Sequence, residues 1–215
     1  MQYAISIAVV DAVLDLTRNR VQLQLKWPND LYHGNLKIGG VLCESRYDAE
    51  SKRYVITSGI GLNVDNKEPT DCINAIIRRM MDNAVGDGDG ADDDGDGDEK
   101  EVDQLALLSR EEILCCFANH FERIYEGLQQ NGFTALKEKY LRYWMHSGQK
   151  VRVDQGAQGM GIQKGSCSDK IEMFIVGVSD DGQLMGQNAK GDAFELHPDG
   201  NSFDFLHGLI CRKAV

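Results

Sequence analysis

The sequence predicts an α+β protein, a mixed β-sheet packed with helices and followed by a small all-β module. Three observations carry this. Helical periodicity and period-2 alternation are interleaved through residues 1–146, and short alternating runs broken by Gly, Asp and Asn fill residues 147–215. The chain has 215 residues, 42% of them apolar, which suffices for one mid-sized domain with a small one attached.

In order, residues 4–16 read as a helix ended by the polar "TRNR". "VQLQLKW" alternates apolar and polar as a strand does, and Pro28 stops it because proline has no N–H for the ladder. "LYHGN" reads as a turn with Gly34 and Asn35 at its tip. "LKIGGVLCES" and "RYVITSGIGLNV" are two further strands, joined by the polar "RYDAESK" and suited to antiparallel pairing. Thr70 opens a helix over residues 70–81 as its N-cap. Residues 109–132 form a longer helix: Ser109 caps, Glu112 completes a capping box and Gly132 stops it. Residues 133–145 are another helix, and the domain boundary falls near His146. Beyond it, "GQKVRVDQ", "KIEMFIVGVSDDGQLMGQN" and "AFELHPDGNSFDF" have the pattern of a small barrel or meander.

Residues 86–101 are almost entirely Asp, Gly and Glu. Such a composition cannot bury enough surface to offset chain entropy, so the segment is expected to be a disordered insertion. Its acidic spacing approximates a calcium loop, but the twelfth position, Asp103, replaces the bidentate Glu that such loops use. Deleting residues 86–100 should leave the melting temperature nearly unchanged. A loss of several degrees would show that the segment is packed.

The net charge of −11 owes much to that insertion and argues against a nucleic-acid footprint, which needs clustered Lys and Arg. No apolar run is long enough to span a membrane. The opening "MQYAISIAVVDAVLDL" lacks a basic region and carries Asp11 and Asp15, so it reads as a helix rather than a targeting segment. The six cysteines show no CxxC pairing, which suggests reduced thiols in a cytosol-like compartment. Cys115 and Cys116, adjacent in a helical pattern, cannot both face one metal, and no metal site is expected. His120 and His146 read as satisfied or exposed histidines, and Tyr140, Tyr143 and Trp144 as core.

The chemistry concentrates in "KWPNDLYHGNLKIGGVLCE", residues 26–44. Asn29 and Asp30 hold an amide and a carboxylate at a strand end, and Lys37 returns to the same neighbourhood after a short turn. Gly39 and Gly40 remove side chains where a ligand or backbone must come close, and "GIGLN" repeats the device before Asn63. Cations, a carboxylate and bare backbone at adjoining strand ends suit an anionic substrate such as a nucleoside phosphate or acyl phosphate. On composition alone, a surface ion pair beside strand bulges fits equally well.

The stretches Lys26-Trp27-Pro28-Asn29-Asp30-Leu31-Tyr32, Lys37-Ile38-Gly39-Gly40-Val41-Leu42 and Gly59-Ile60-Gly61-Leu62-Asn63-Val64 resemble, in order and spacing, the biotin protein ligase (holocarboxylase synthetase) family. The resemblance implies a class II synthetase-like biotin/lipoate ligase catalytic domain over residues 1–146 and an SH3-like β-barrel over residues 147–215. It implies two-step chemistry: biotin and MgATP give biotinyl-5'-AMP, and the acyl group then passes to a lysine on a carboxylase carrier domain. ATP with Mg2+ and biotin are substrates, with no tightly bound cofactor or resident metal.

Carried over by position, Lys37 contacts the biotin carboxylate and the phosphate, and Asp30 holds or deprotonates the incoming lysine. Lys26 and Asn29 line the nucleotide side, Gly39 and Gly40 the acyl-adenylate, and Asn63 lies near the adenine. Trp27 and Pro28 fix the strand end. A cytoplasmic location follows, or an organellar one if an N-terminal extension exists.

The family's Gly-Arg-rich loop, which precedes the first helix, has no counterpart in these residues, so residues 1–215 by themselves are expected to form the adenylate poorly. A lipoate ligase of the same superfamily is the near alternative, although "KWPND" with "KIGG" favours biotin. A non-catalytic regulatory isoform is another. A transcriptional repressor is disfavoured, because no helix-turn-helix or basic patch is present in the sequence.

Overall fold

The computed structural model describes residues 1–66, 71–86, 105–154, 170–198, 201–204 and 207–212. The chain divides into two compact units, Met1–Gln24 with Asn29–Ile124, and Leu25–Pro28 with Tyr125–Val215. The acidic run lies outside the described residues save for Gly86, as does the cap position Thr70.

The first unit is built on α1 (Gln2–Leu16), whose residues from Ala4 to Val13 are all buried. A helix that is small and apolar nearly all round belongs at the centre of its unit. It ends where expected. Thr17 donates its hydroxyl to the Val13 carbonyl at 2.6 Å and accepts the Val21 N–H at 3.2 Å, and Arg18 and Asn19 turn left-handed. The alternating run that follows buries Val21, Leu23, Leu25 and Trp27, although only β1 (Gln24–Lys26) is regular strand.

Residues 31–33, expected as part of a turn, fall in strand β2 (Asp30–His33) instead. Leu31 is wholly buried and Tyr32 nearly so, and that burial decides the conformation. The turn shrinks to Gly34 and Asn35, with Gly34 at φ +56°. β3 (Leu36–Asp48) and β4 (Arg53–Leu62) then pair antiparallel over ten residues, from Gly39 opposite Leu62 to Asp48 opposite Arg53. β3 therefore runs on into the expected connector, through residues 46–48. Asp48 closes the remaining loop, accepting from the Glu50 N–H and the Ser51 hydroxyl. The α1 helix packs on β3.

An alanine methyl at Gly39 would stand 2.5 Å from the Gly61 carbonyl of the neighbouring strand, whereas at Gly59 it would meet nothing within 4 Å. Gly39→Ala should therefore cost about 1–3 kcal/mol as an overpacked site, while Gly59→Ala should be near neutral. Urea denaturation of the two variants separates them, and equal midpoints would contradict the packing assigned to Gly39.

At the start of helix α2 (Ile73–Gly86) the Asp71 carboxylate accepts the Cys72 N–H at 3.0 Å. The N–H groups of Ile73 and Asn74 bond to the carbonyls of Asn63 and Val64, just past β4. Buried Asn74 clamps the segment before α3 (Arg110–Asn131), donating to the Leu108 carbonyl at 3.0 Å and accepting its N–H at 2.8 Å. The capping box forms as expected. The Ser109 N–H reaches Glu112 Oε2 at 2.8 Å, and the Glu112 N–H reaches Ser109 Oγ at 3.2 Å. The division between the units falls inside α3, after Ile124.

The second unit continues with α4 (Thr134–Tyr143) and six strands: β5 (Lys150–Asp154), β6 (Lys170–Val178), β7 (Leu184–Asn188), β8 (Ala193–Leu196), β9 (Asn201–Asp204) and β10 (Leu209–Arg212). Their order is β8-β7-β6-β5-β10-β9, antiparallel except for the β5–β10 pair. Among the described residues the order is open, and no closed barrel forms. Val151, Val153, Met173, Ile175, Leu184, Leu196 and Ile210 are fully buried in this unit.

Trp27, buried in the same unit, is held from three sides. Its ring N–H donates to the Gly182 carbonyl at 3.2 Å and its ring meets Phe203 edge-on at 5.1 Å. Its backbone N–H donates to His146 Nε2 at 3.0 Å. Its place at the strand end is thus structural, as expected. Of the aromatic residues read as core, Tyr140 and Trp144 are buried and Tyr143 is half-buried.

Candidate active site

The β2–β3 hairpin brings its charged residues together. Asp30 lies opposite Gly40 and Tyr32 opposite Lys37, with a register shift between Leu31 and Tyr32. The bulge aims Lys37 along the hairpin, and its Nζ stands 2.5 Å from Asp30 Oδ1. The two are not equally sheltered: the Lys37 side chain is 51% exposed and that of Asp30 20%. Between them, Leu31 and Ile38 face the interior. The hairpin thus has an apolar inner face and an ion pair on the outer one.

Gly40 makes room for that pair. A methyl there would stand 3.3 Å from Asp30 Oδ1, 3.2 Å from the Asn29 carbonyl and 3.9 Å from Lys37 Cε. The Asn29 carbonyl accepts the Val41 N–H at 2.8 Å, which closes the strand end over Gly40. Asn63 sits one strand further on. Its N–H donates to the Ile38 carbonyl at 2.8 Å, and its side-chain amide reaches the Asp71 carbonyl at 3.4 Å. Asn29, Asp30, Lys37, Gly39, Gly40 and Asn63 therefore all belong to the first unit, on adjoining strand ends.

Lys26 belongs to the second unit. There its charge lowers the pKa of both His146 and Asp204, in each case as a secondary influence.

The residues at the start of α2 were not singled out from sequence. Arg79 binds Asp71 through both oxygens, at 3.1 and 2.5 Å, and this bidentate bond is the main reason that the Asp71 pKa lies below the ordinary carboxylate value. His33, at the end of β2, has a lowered pKa chiefly through burial, with Asp71 opposing and Arg79 reinforcing. No local pattern links positions 33, 71 and 79, so only the fold reveals the cluster. His120, read as a satisfied or exposed histidine, does have partners. Cys116 lies one helical turn before it, and Asp15 of α1 is 3.1 Å away.

A site of this kind offers one cation and one carboxylate next to glycine backbone. It can oppose negative charge on a bound phosphate or carboxylate, and it can accept a proton from an amine.

The chain resembles known proteins over its whole length. The model of the Biotin/lipoate A/B protein ligase family matches residues 1–63. Biotin--protein ligase 1, chloroplastic, of Arabidopsis thaliana is 37% identical over 99% of this chain and 51% of its own length. Biotin--protein ligase of Homo sapiens is 33% identical over 99% of this chain and 25% of its own. The chain thus spans about half the length of the plant relative and a quarter of the human one. Among solved structures, a biotin protein ligase from Aquifex aeolicus superposes with a TM-score of 0.60 at 20% identity, covering 92% of this chain and 71% of that one. The same Aquifex aeolicus enzyme in complex with biotin and ATP gives a TM-score of 0.59. These likenesses establish a mixed α+β fold shared with biotin protein ligases. Asp30, Lys37, Gly40 and Asn63 all lie within residues 1–63, the stretch that the model of the Biotin/lipoate A/B protein ligase family matches.

Proposed function

We propose that the protein is a biotin–protein ligase, and the observation that carries this is the Asp30–Lys37 pair beside the bare backbone of Gly40. In the first step an oxygen of the biotin carboxylate attacks the α-phosphorus of MgATP, pyrophosphate leaves, and biotinyl-5'-AMP forms. Lys37 offsets the charge that two anions bring together. In the second step the carrier lysine nitrogen attacks the biotinyl carbonyl carbon and AMP departs. The amine must lose a proton to finish as an amide, and Asp30 is the acceptor at hand.

Asn29 serves the nucleotide side, Gly39 and Gly40 admit the acyl-adenylate, and Asn63 lies by the adenine, while for Lys26 a nucleotide role rests on the family motif alone. We further read residues 1–146 as catalytic and residues 147–215 as an SH3-like module. The short strands and the parallel β5–β10 pair support the latter. The partner is the biotin carboxyl carrier domain of a carboxylase. Among the described residues no helix is long and apolar enough to cross a membrane. We place the protein in the cytoplasm, or in an organelle, as the name of one plant relative indicates for that protein.

The family model also takes in lipoate ligases, which makes the acyl group the point to test. A form carrying the Gly-Arg-rich loop, given biotin, MgATP and a carrier domain, should place biotin on the carrier's target lysine and not on a Lys→Arg carrier. Lipoate should not substitute. Labelling with lipoate instead would move the protein to the other branch of the family, and labelling with neither would favour a non-catalytic role.

A further inference from the structure

Away from the hairpin, helices α1 and α3 bring together side chains that neither step of the reaction uses. Asp11 and Asp15 are four residues apart on α1, and Cys116 and His120 four apart on α3. Spacing of i and i+4 puts two side chains on one face of a helix, the arrangement by which helices hold zinc through paired residues. His120 Nε2 stands 3.1 Å from Asp15 Oδ2, and Cys116 Sγ stands 3.8 Å from the same oxygen. The three donor atoms all lie within 4.8 Å of one another.

We propose that Asp15, Cys116 and His120 form a binding site for a zinc-class divalent cation that ties α1 to α3. With ordinary zinc bond lengths, a tetrahedral ion separates its nitrogen and oxygen ligands by roughly 3.4 Å and its sulfur and oxygen ligands by roughly 3.6 Å. The observed separations differ from these by only a few tenths of an ångström. One thiolate, one imidazole and one carboxylate suit zinc, and they do not suit magnesium or calcium, which take oxygen ligands. Three protein ligands leave the fourth position to water.

The surroundings support the same reading. Asp11, whose side chain is only 6% exposed, points a carboxylate oxygen at His120 Nδ1 from 3.8 Å. A carboxylate behind a ligating imidazole is the usual second partner in such sites, since it fixes the ring and the tautomer. Arg123 acts against the ion. Its Nη2 stands 3.2 Å from His120 Nδ1, which makes Nδ1 the acceptor and leaves the proton on Nε2, facing Asp15. Loading the site requires that proton to move to Nδ1, with Arg123 swinging out into solvent, where its side chain already lies exposed.

Of the two adjacent cysteines only Cys116 belongs to the cluster, with His120 on its own helix and Asp15 on α1.

The full chain, stripped with a chelator and then titrated with zinc against a chromophoric competitor, should bind one equivalent through this site. Loading with cobalt instead should give the thiolate charge-transfer band and the intense d–d bands of a tetrahedral site. Cys116→Ala and His120→Ala should each weaken binding by more than about 100-fold, since outer partners alone cost 10–100-fold. Asp11→Asn should fall within that outer range, Arg123→Ala should tighten binding, and Cys115→Ala should leave it unchanged. The proposal fails if wild-type protein shows no stoichiometric binding or cobalt shows no thiolate band. It also fails if binding survives in Cys116→Ala. The cobalt spectrum needs no variant and holds even if a substitution unfolds the helix pair.

Discussion

Lys37→Ala should lower biotinyl-adenylate formation by about 100-fold or more in a form that carries the Gly-Arg-rich loop, if its charge does what one preorganised oxyanion donor does elsewhere. The expectation follows from the geometry of the pair. With Lys37 gone, Asp30 loses the ammonium 2.5 Å from its oxygen, and its carboxylate charge is less well offset toward two anionic substrates. A lost attraction and a stronger repulsion act in the same direction. Lys37→Arg should restore only part of the rate, because a broad guanidinium does not replace a compact charge next to Gly40.

Asp30→Asn should behave in the opposite way. It releases Lys37 from its partner and removes the proton acceptor, so transfer to the carrier lysine should slow more than adenylation. Single-turnover measurements of each half-reaction separate the two. Equal damage to both steps from both substitutions would mean that the hairpin had merely loosened, and the roles assigned to these residues would be wrong.

The second large effect is expected at His146, whose buried ring works as a neutral connector. Its Nδ1–H donates to Gln149 Oε1 at 3.0 Å, and its Nε2 lone pair accepts the Trp27 N–H, 119 residues away in sequence. Protonation would place a hydrogen on Nε2 against that N–H. Burial, the main cause, lowers the pKa to about 4, with Lys26 adding to it and the Gln149 bond opposing. A depressed histidine favours folding at neutral pH. Its contribution is complete above about pH 6.5 and is lost as the pH falls toward about 4, because the unfolded chain takes up the proton first. By pH 5 the loss should reach about 2 kcal/mol.

Both tryptophans, Trp27 and Trp144, lie in this unit, so their fluorescence reports on it. Urea midpoints of the wild type should fall from pH 7.5 to pH 5 more steeply than those of His146→Gln. His146→Ala should lose about 1–3 kcal/mol even at neutral pH, since it orphans a buried N–H. Parallel pH slopes in wild type and His146→Gln would contradict this role for the ring.

What could be read in the sequence, and what could not, follows from distance along the chain. That Asp30 and Lys37 share a neighbourhood was legible because only six residues, with one tight turn among them, separate the two. The capping box at Ser109 was legible for the same reason. β2 was misread as a turn because four residues ending beside Gly34 and Asn35 carry too little periodicity to outweigh the turn signal. The burial of Leu31, supplied by the rest of the unit, decided the matter. Beyond the reach of any local pattern were the Asp71–Arg79–His33 cluster, the meeting of His120 with Asp15, and the bond from Trp27 to His146. Lys26 fell into the same motif as Asn29 and Asp30, yet the chain passes there from one compact unit to the other. Spacing cannot register such a crossing.

The central claim, that the Asp30–Lys37 hairpin is where an acyl group is activated as its adenylate, is tested most directly by biotin-dependent ATP–pyrophosphate exchange, which reports the first step alone. A loop-containing form should catalyse the exchange with biotin and MgATP. It should lose about 100-fold or more with Lys37→Ala, and keep most of the exchange with Asp30→Asn. Exchange that is unchanged in Lys37→Ala would contradict the account.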